Sequence, residues 1–395
     1  MNNKFCRLLL IGINDPSKKG CAGQSNKFYE MSYTGGNNFT VKYGRVESTA
    51  QNGTYHISQW NSKYNEKIKK GYKDVTDLVA DIKEEIVEDT VEIIGVDDKV
   101  IEKFLLTMKK YTDNLVSKVY SIKATSVTKA QVDNAQEILD ELANLAKAKK
   151  LNVNEINNKL ISLYTVIPRY IKDVRKEVLP YIDLNKTLSQ EQDNLDAMAS
   201  QVRMIQPKKD VKKQKISLLD KLGVKILKVE DYTKDKELKK YVDQIGKSKI
   251  KTIFAIQKDT EEKTFKEWLN KQTNKTTCTV IHGTKCASVI SILEQSLKIR
   301  PAANFQFNGK VYGNGNYFSE EWSTSSGYTD YNGSDKVLLV YEAHVGKPSY
   351  TSASNYNEIK RTGHDSFAMK GRGGLHVMRV LYREEQSLIK YVIWL

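Results

Sequence analysis

Long apolar runs, paired cysteines and internal repeats are missing from this sequence, and each absence removes a class of protein. No apolar run approaches the roughly 18 residues of a membrane-spanning helix, so no span is expected. The first apolar stretch, LLLIGI, stops at Asn14 and Asp15. That is too short for a signal peptide and reads as a first β-strand. The four cysteines, Cys6, Cys21, Cys278 and Cys286, form no CxxC pair, and the histidines complete no zinc-finger spacing. No metal is expected, and the thiols read as reduced and buried, in an intracellular protein. Acidic residues are outnumbered, 48 against 63 Lys and Arg, giving a formal net charge of +15 and a pI near 9.3. Such a surplus favours an anionic partner, nucleic acid before others; it also follows from the Lys- and Asn-rich usage of an AT-biased genome.

What is present suffices for ordinary cores. Hydrophobic residues make up 39% of 395, which excludes wholesale disorder, and at roughly 150 residues per domain the chain divides into two or three. Residues 1–78 read as β-rich: KFYEMSYTGGNNFTVKYGRV alternates apolar and polar residues around a Gly-Gly-Asn-Asn turn, a hairpin pattern. Trp60, Tyr64 and Ile68 then recur every four residues on one helix face, which Gly71 is placed to end. Residues 79–206 read as a helical bundle, beginning with Leu78, Val79, Ile82, Ile86 and Val87 at helical spacing. SVTKAQVDNAQEILDELANLAKAKK follows, with a Ser or Thr cap and no Gly or Pro. PKKDVKKQK within 207–215 has almost no apolar content and reads as a linker, with a nuclear-localisation patch as the alternative. Residues 216–395 are mixed and then mainly β, with strand-like runs KTIFAIQK, TCTVIHGT, KVLLVYEAHVG, LHVMRVLY and LIKYVIWL. The fold class expected is therefore multidomain α+β: a small β-rich module, an all-α bundle and an α+β module.

Chemistry concentrates in two stretches. VIHGTKCASVISILEQSLKI places His282-Gly283 at a strand end before a helix. VYGNGNYFSEEWSTSSGYT supplies Gly313, Gly315, Tyr317, Ser325 and Tyr328. Singly, each is an ordinary structural feature. Their order and separation, with the terminal LIKYVIWL, resemble the catalytic domain of the poly(ADP-ribose) polymerases, the diphtheria-toxin-like ADP-ribosyltransferases. That pattern is His-Gly, then Gly-x-Gly-x-Tyr-Phe, Ser-x-x-Tyr, and a last Glu-Tyr strand. The resemblance covers about residues 216–395. KYGRVES followed by KIKKGYKDVT resembles a WGR domain. SVTKAQVDNAQEILDEL, LISLYTVIPR and QDNLDAM resemble the family's regulatory helical domain.

The resemblance implies an NAD⁺ ADP-ribosyltransferase, a pentosyl-transferring glycosyltransferase that takes NAD⁺ as substrate and no metal. His282, Tyr317 and Lys390 occupy its catalytic positions; His282, Gly283, Lys298, Tyr317, Ser325 and Tyr328 its NAD-binding ones. The Gly283 backbone and the Ser325 hydroxyl would hold the nicotinamide carboxamide, and Tyr317 and Tyr328 would bracket the ring. His282 would bond a ribose hydroxyl. Lys298 replaces a common Arg facing the pyrophosphate, supplying charge without the bidentate fork.

Lys390 stands where the family places its catalytic Glu. On an alternating strand it would simply face solvent; the resemblance instead implies that it points into the NAD cleft. Glu384 or Glu385 could take the carboxylate's role only in a different strand register. The chain also ends soon after Lys390, which implies a domain trimmed, or completed differently, at this edge. Polymer synthesis is what Lys390 disfavours, so single transfers are expected, with a catalytically defective DNA-end-binding or NAD-binding pseudoenzyme as the alternative. In the WGR-like module Tyr43 replaces the usual Trp, and Arg45, Lys67, Lys69 and Lys70 are the phosphate-contact candidates, with Lys63 and Lys73 nearby. DNA strand breaks are the expected activator, and Asp193 and Asn194 are expected to take part in an autoinhibitory block. Further expectations are an acceptor protein or nucleic acid, no membrane partner, a monomer, and a nuclear location in a eukaryotic host or a cytoplasmic one otherwise.

Overall fold

The computed structural model describes residues 3–13, 24–45, 49–76, 93–94, 96–205, 216–300, 312–330, 333–353, 355–371 and 374–395. Leu78 to Val87, the 207–215 linker and Cys21 lie outside the described residues. By packing, the chain falls into two compact units: 1–90 with 115–212, and 91–114 with 213–395.

The first unit carries an antiparallel sheet, β1 (Lys4–Ile13), β2 (Gln24–Tyr33), β3 (Asn38–Arg45), β4 (Gln51–His56) and β5 (Lys73–Asp74), in the order β4-β3-β2-β1-β5. LLLIGI is strand, and the β2–β3 hairpin turns through Gly35 and Gly36, whose φ angles of 117° and 85° suit residues without a Cβ. One face buries Cys6, Leu8, Met31, Phe39 and Val41 beneath α1 (Trp60–Lys69). Trp60 meets Phe39 edge-on at 5.0 Å, whereas Ile68, at the end of the same stripe, stays exposed. Gly71, at φ 86°, follows the helix end as expected.

Next comes α2 (Lys99–Val119), whose residues 99–114 pack with the second unit. The bundle of the first unit contains α3 (Lys129–Leu145), α4 (Val153–Val166) and α5 (Leu184–Ile205). Thr128 caps α3 in a reciprocal box with Gln131, and Asn152 caps α4. Inside it the Arg169 guanidinium lies 4.0 Å over the Tyr120 ring and pairs with Glu191 of α5.

The second unit has two larger sheets and a short two-stranded one. Its small β6 (Ile93–Ile94) pairs with β7 (Ile216–Ser217) in parallel, and α6 (Leu218–Leu222) follows. The main sheet contains β8 (Lys225–Lys228), β9 (Thr252–Gln257), β10 (Thr277–Thr284), β12 (Val337–His344) and β16 (Ser387–Trp394), all antiparallel, in the order β10-β12-β16-β9-β8. The second sheet runs β11 (Asn316–Phe318), β15 (His376–Leu381), β14 (Ser366–Lys370) and β13 (Pro348–Ser349). Every strand-like run marked in the sequence beyond residue 250 is a strand. Ile281 and Ser319 exchange backbone bonds of 2.8 and 2.9 Å, joining the two sheets. One face of the main sheet buries Ile281, Leu338, Val340 and Ile393 against α7 (Lys236–Ile245). Two further helices, α8 (Asp259–Asn270) and α9 (Cys286–Gln295), flank β10 in sequence. Short α10 (Trp322–Ser326) follows β11.

Among the described residues no helix is long and apolar enough to cross a membrane, and no cluster of three or more His, Cys, Asp or Glu could hold a metal ion. Cys6 and Cys286 are buried and Cys278 is partly so; burial pushes the Cys6 and Cys278 thiols up to about 11, far from thiolate.

Candidate functional site

Gly283 is a glycine because another backbone lies against it. A Cβ there would stand 1.7 Å from the carbonyl oxygen of Ser325 and 2.7 Å from its carbonyl carbon, so no other residue fits without moving α10. The Ser325 hydroxyl donates to the Ile281 carbonyl at 3.0 Å, holding α10 on β10. Ser325 and Gly283, some forty residues apart in sequence, thus share one wall.

His282 is fixed from the other side. Its Nδ1 lies 2.8 Å from the Tyr317 carbonyl. A carbonyl only accepts, so Nδ1 carries the proton and Nε2 keeps its lone pair. Burial lowers the imidazole pKa, although the Tyr317 bond pulls the other way, so the ring is neutral at physiological pH. The Tyr317 hydroxyl donates to the Gly313 carbonyl at 2.7 Å and accepts from the Tyr312 N–H at 2.9 Å. Burial first, then the neighbouring Tyr382, Tyr328 and Tyr312, pushes this phenol up, against the Tyr312 N–H. The two glycines of the Gly-x-Gly stretch serve different ends. Gly313 adopts φ 100°, whereas a Cβ on Gly315 would meet the Leu381 carbonyl at 2.5 Å. Tyr328, 51% exposed, ends the turn after α10 and presents its ring to solvent.

The two lysines behave differently. Lys298 Nζ is 2.7 Å from Glu384 Oε2, and the other oxygen of Glu384 accepts the Ile299 N–H at 2.9 Å. Strand β16 does not alternate: Ser387 to Ile389 and Val392 to Trp394 are buried, so both faces are covered. Solvent-face alternation therefore does not explain Lys390. Tyr391 pairs with Val340 and Ile389 with Tyr341, so Lys390 is the extra residue of a β-bulge. The β9 pairing begins only at Tyr391. Lys390 is consequently exposed while its neighbours are not. Its charge helps lower the carboxyls of Asp235, where burial opposes the shift and the Tyr391 hydroxyl favours it, and of Glu262, where Lys266 contributes most. Glu384 and Glu385 lie in the 3₁₀ turn before β16, Glu384 on Lys298 and Glu385 on Arg383.

Sequence reading missed the buried acids. Glu320, between β11 and α10, accepts from Arg379 Nε at 2.6 Å and lies 3.1 Å from His376 Nδ1. Burial would raise its carboxyl, but the Arg379 bonds outweigh that and hold it low. In the sequence only its place two residues beyond Phe318, at the end of β11, set it apart.

In the first unit a cavity of about 320 Å³ is lined by Lys27, Tyr29, Tyr43, Arg45, Lys67 and Tyr72, among others. Three of the candidate DNA contacts, Tyr43, Arg45 and Lys67, therefore share one pocket. The Lys67 ammonium sits 4.4 Å from the Tyr29 ring centroid, and burial lowers its pKa despite nearby Glu66. Lys69 and Lys70 do not line the pocket. Lys70 pairs with Glu66 at 2.6 Å, as an ordinary exposed helix pair. On α5, Asp193 and Asn194 are half-buried, and Asn194 Nδ2 lies 3.4 Å from Glu191.

Residues 227–385 match the catalytic domain of poly(ADP-ribose) polymerases. A putative poly(ADP-ribose) polymerase-like protein, 100L of Invertebrate iridescent virus 6, is 40% identical over 168 residues, 40% of this chain and 92% of the viral one. The chain belongs to the poly(ADP-ribose) polymerase family. An uncharacterized protein of the same virus, 101L, is 40% identical over 199 residues, 50% of this chain and 78% of its own length. The matched polymerase domain holds His282, Gly283, Lys298, Tyr317, Ser325 and Tyr328, and stops ahead of Lys390.

Proposed function

We propose that this polymerase-family member transfers single ADP-ribose units from NAD⁺ and is switched on by DNA strand breaks. The observation that carries the transfer reading is the shared wall of Gly283 and Ser325 beside His282. A backbone peptide and a hydroxyl suit a carboxamide, and the lone pair on His282 Nε2 suits a ribose hydroxyl. Tyr317 and Tyr328 supply flat faces for a planar ring.

Departure of nicotinamide leaves positive charge on the ribose, which a nearby anion stabilises. Lys390 offers the wrong sign. A cation about 4 Å from that centre opposes it by on the order of 1 kcal/mol in water and about 4 at an effective dielectric near 20. Nor can an ammonium activate the hydroxyl that extends a polymer. Transfer of one unit to a better nucleophile survives these losses more readily than chain growth. The pocket of Tyr43, Arg45 and Lys67, with rings for a sugar or base and cations for phosphate, supports the DNA arm. In this reading the helical segment carrying Asp193 and Asn194 holds activity low until DNA binds. A second reading rests on Lys390 alone: a pseudoenzyme that binds NAD⁺ or DNA ends without turnover.

The test is mass detection of ADP-ribose on protein and DNA after incubation with NAD⁺, with and without nicked, 5′-phosphorylated duplex. Single additions that need the broken DNA are expected. Binding of both ligands with no product supports the pseudoenzyme, and long polymers from the natural chain would refute the role given to Lys390. Lys390→Glu is expected to introduce polymer synthesis.

A further inference from the structure

Glu261 sits in the first turn of α8, 8% exposed, in neither of the motif stretches. Both of its carboxylate oxygens are engaged. One accepts the N–H of Ile389, the residue before Lys390, at 2.7 Å. The other is bonded by the hydroxyl of Ser296, two residues before Lys298. Ser296 is the one non-glycine with positive φ, 67°, among the described residues, and it ends α9. A serine held in that sparsely populated conformation indicates a turn over-determined by its surroundings. Beside it Lys258, also buried, donates to the Leu293 and Glu294 carbonyls at 2.7 and 2.8 Å, closing the C-terminus of α9. A few residues along the same two segments, Glu384 ties Lys298 and the Ile299 N–H to the turn that opens β16.

We propose that Glu261 is a positioning residue of the NAD site, setting the spacing between the segment that carries Lys298 and the strand that carries Lys390. The proposal rests on the NAD⁺ reading above. Glu261 touches neither lysine's ammonium through a hydrogen bond; it holds the Ile389 backbone N–H and the Ser296 hydroxyl, one and two residues before them. Gly283 and Ser325 are anchored independently, through Ile281 and the Ser319 bridge. The two halves of the ligand therefore answer to different supports: the nicotinamide end to Ser325, the pyrophosphate end to Glu261.

That division is testable on the full chain with two probes, benzamide for the nicotinamide end alone and a carbocyclic NAD⁺ analogue with an uncleavable glycosidic bond. Glu261→Ala is expected to weaken the dinucleotide about tenfold or more, since two buried hydrogen bonds are lost, while benzamide stays within about twofold. Glu261→Gln can still accept from Ile389 and donate to Ser296, and is expected to restore most dinucleotide affinity. Equal weakening of both probes without rescue by Gln, or no change in either, would overturn the proposal. If Glu261→Ala does not fold, Ser296→Ala removes one arm only; a selective loss of about threefold or more for the dinucleotide supports the clamp, and unchanged binding overturns it. A natural chain that binds neither probe overturns the NAD⁺ reading itself and this proposal with it.

Discussion

Gly283→Ala isolates the close approach on which the candidate site rests. The added methyl would lie 1.7 Å from the Ser325 oxygen, and ordinary contact begins near 3.4 Å. The carbonyl must therefore retreat by roughly 1.7 Å, or β10 must shift by as much. The obstructing atoms are backbone, so no side chain can swing aside. Overpacking of this kind costs about 1–3 kcal/mol, and retreat of α10 also breaks the bond from Ser325 Oγ to Ile281, worth roughly 0.5–1.5 kcal/mol. A total of about 1.5–4.5 kcal/mol should lower the melting temperature of a unit this size by roughly 3–18 °C. Benzamide affinity should fall about tenfold or more, because the wall proposed to hold the carboxamide opens. Gly327→Ala is the control. Its φ is −63° and the nearest atom to its Cβ would be the Thr324 oxygen at 3.4 Å, so its stability should change by less than about 1 kcal/mol. Differential scanning calorimetry with benzamide titration reads both. A Gly283→Ala protein that melts and binds like its parent would refute the shared wall.

Two further outcomes follow from buried charge. The His282 pKa is lowered, so between that value and the ordinary value of about 6.5 the unfolded chain binds more protons than the folded one. Stability should therefore rise with pH across that window, level off above about 6.5 as far as this group contributes, and fall as pH drops through it. NAD⁺ analogue affinity should follow the same limb and lose it in His282→Ala; an acid limb centred above about 6.5 would contradict the neutral assignment. In the bundle, Glu191→Gln leaves the Arg169 charge buried without its partner and should destabilise the first unit by about 3–5 kcal/mol in urea unfolding, whereas the double change Arg169→Met with Glu191→Met should be close to neutral. Equal costs for the single and double changes would show that the pair does not matter as an ion pair.

Much of the fold was readable because local patterns decide it. The strand-like runs, the Thr128 cap, the Gly35-Gly36 turn and the helix ended by Gly71 each depend on neighbours a few residues away. The order His-Gly, Gly-x-Gly-x-Tyr, Ser-x-x-Tyr was legible for the same reason, since each motif is compact and its order along the chain is fixed by covalent bonds. The chain alone therefore settled which residues are candidates and which elements carry them.

What it could not settle depends on partners far away in sequence. Alternation placed Lys390 on a solvent face, but β16 is covered on both sides and only a slip in its pairing with β12 exposes that one residue. A bulge belongs to two strands, so neither strand's own pattern announces it. Five lysines between 63 and 73 looked alike in composition; the turn of the helix and the rings of Tyr29 and Tyr72 drew Lys67 into a pocket and left Lys69 and Lys70 outside its lining. Glu261 carried no motif at all. Its role exists only because folding brings Ser296 and Ile389 to the two oxygens of one carboxylate, and a buried carboxylate is stable there only when both are satisfied.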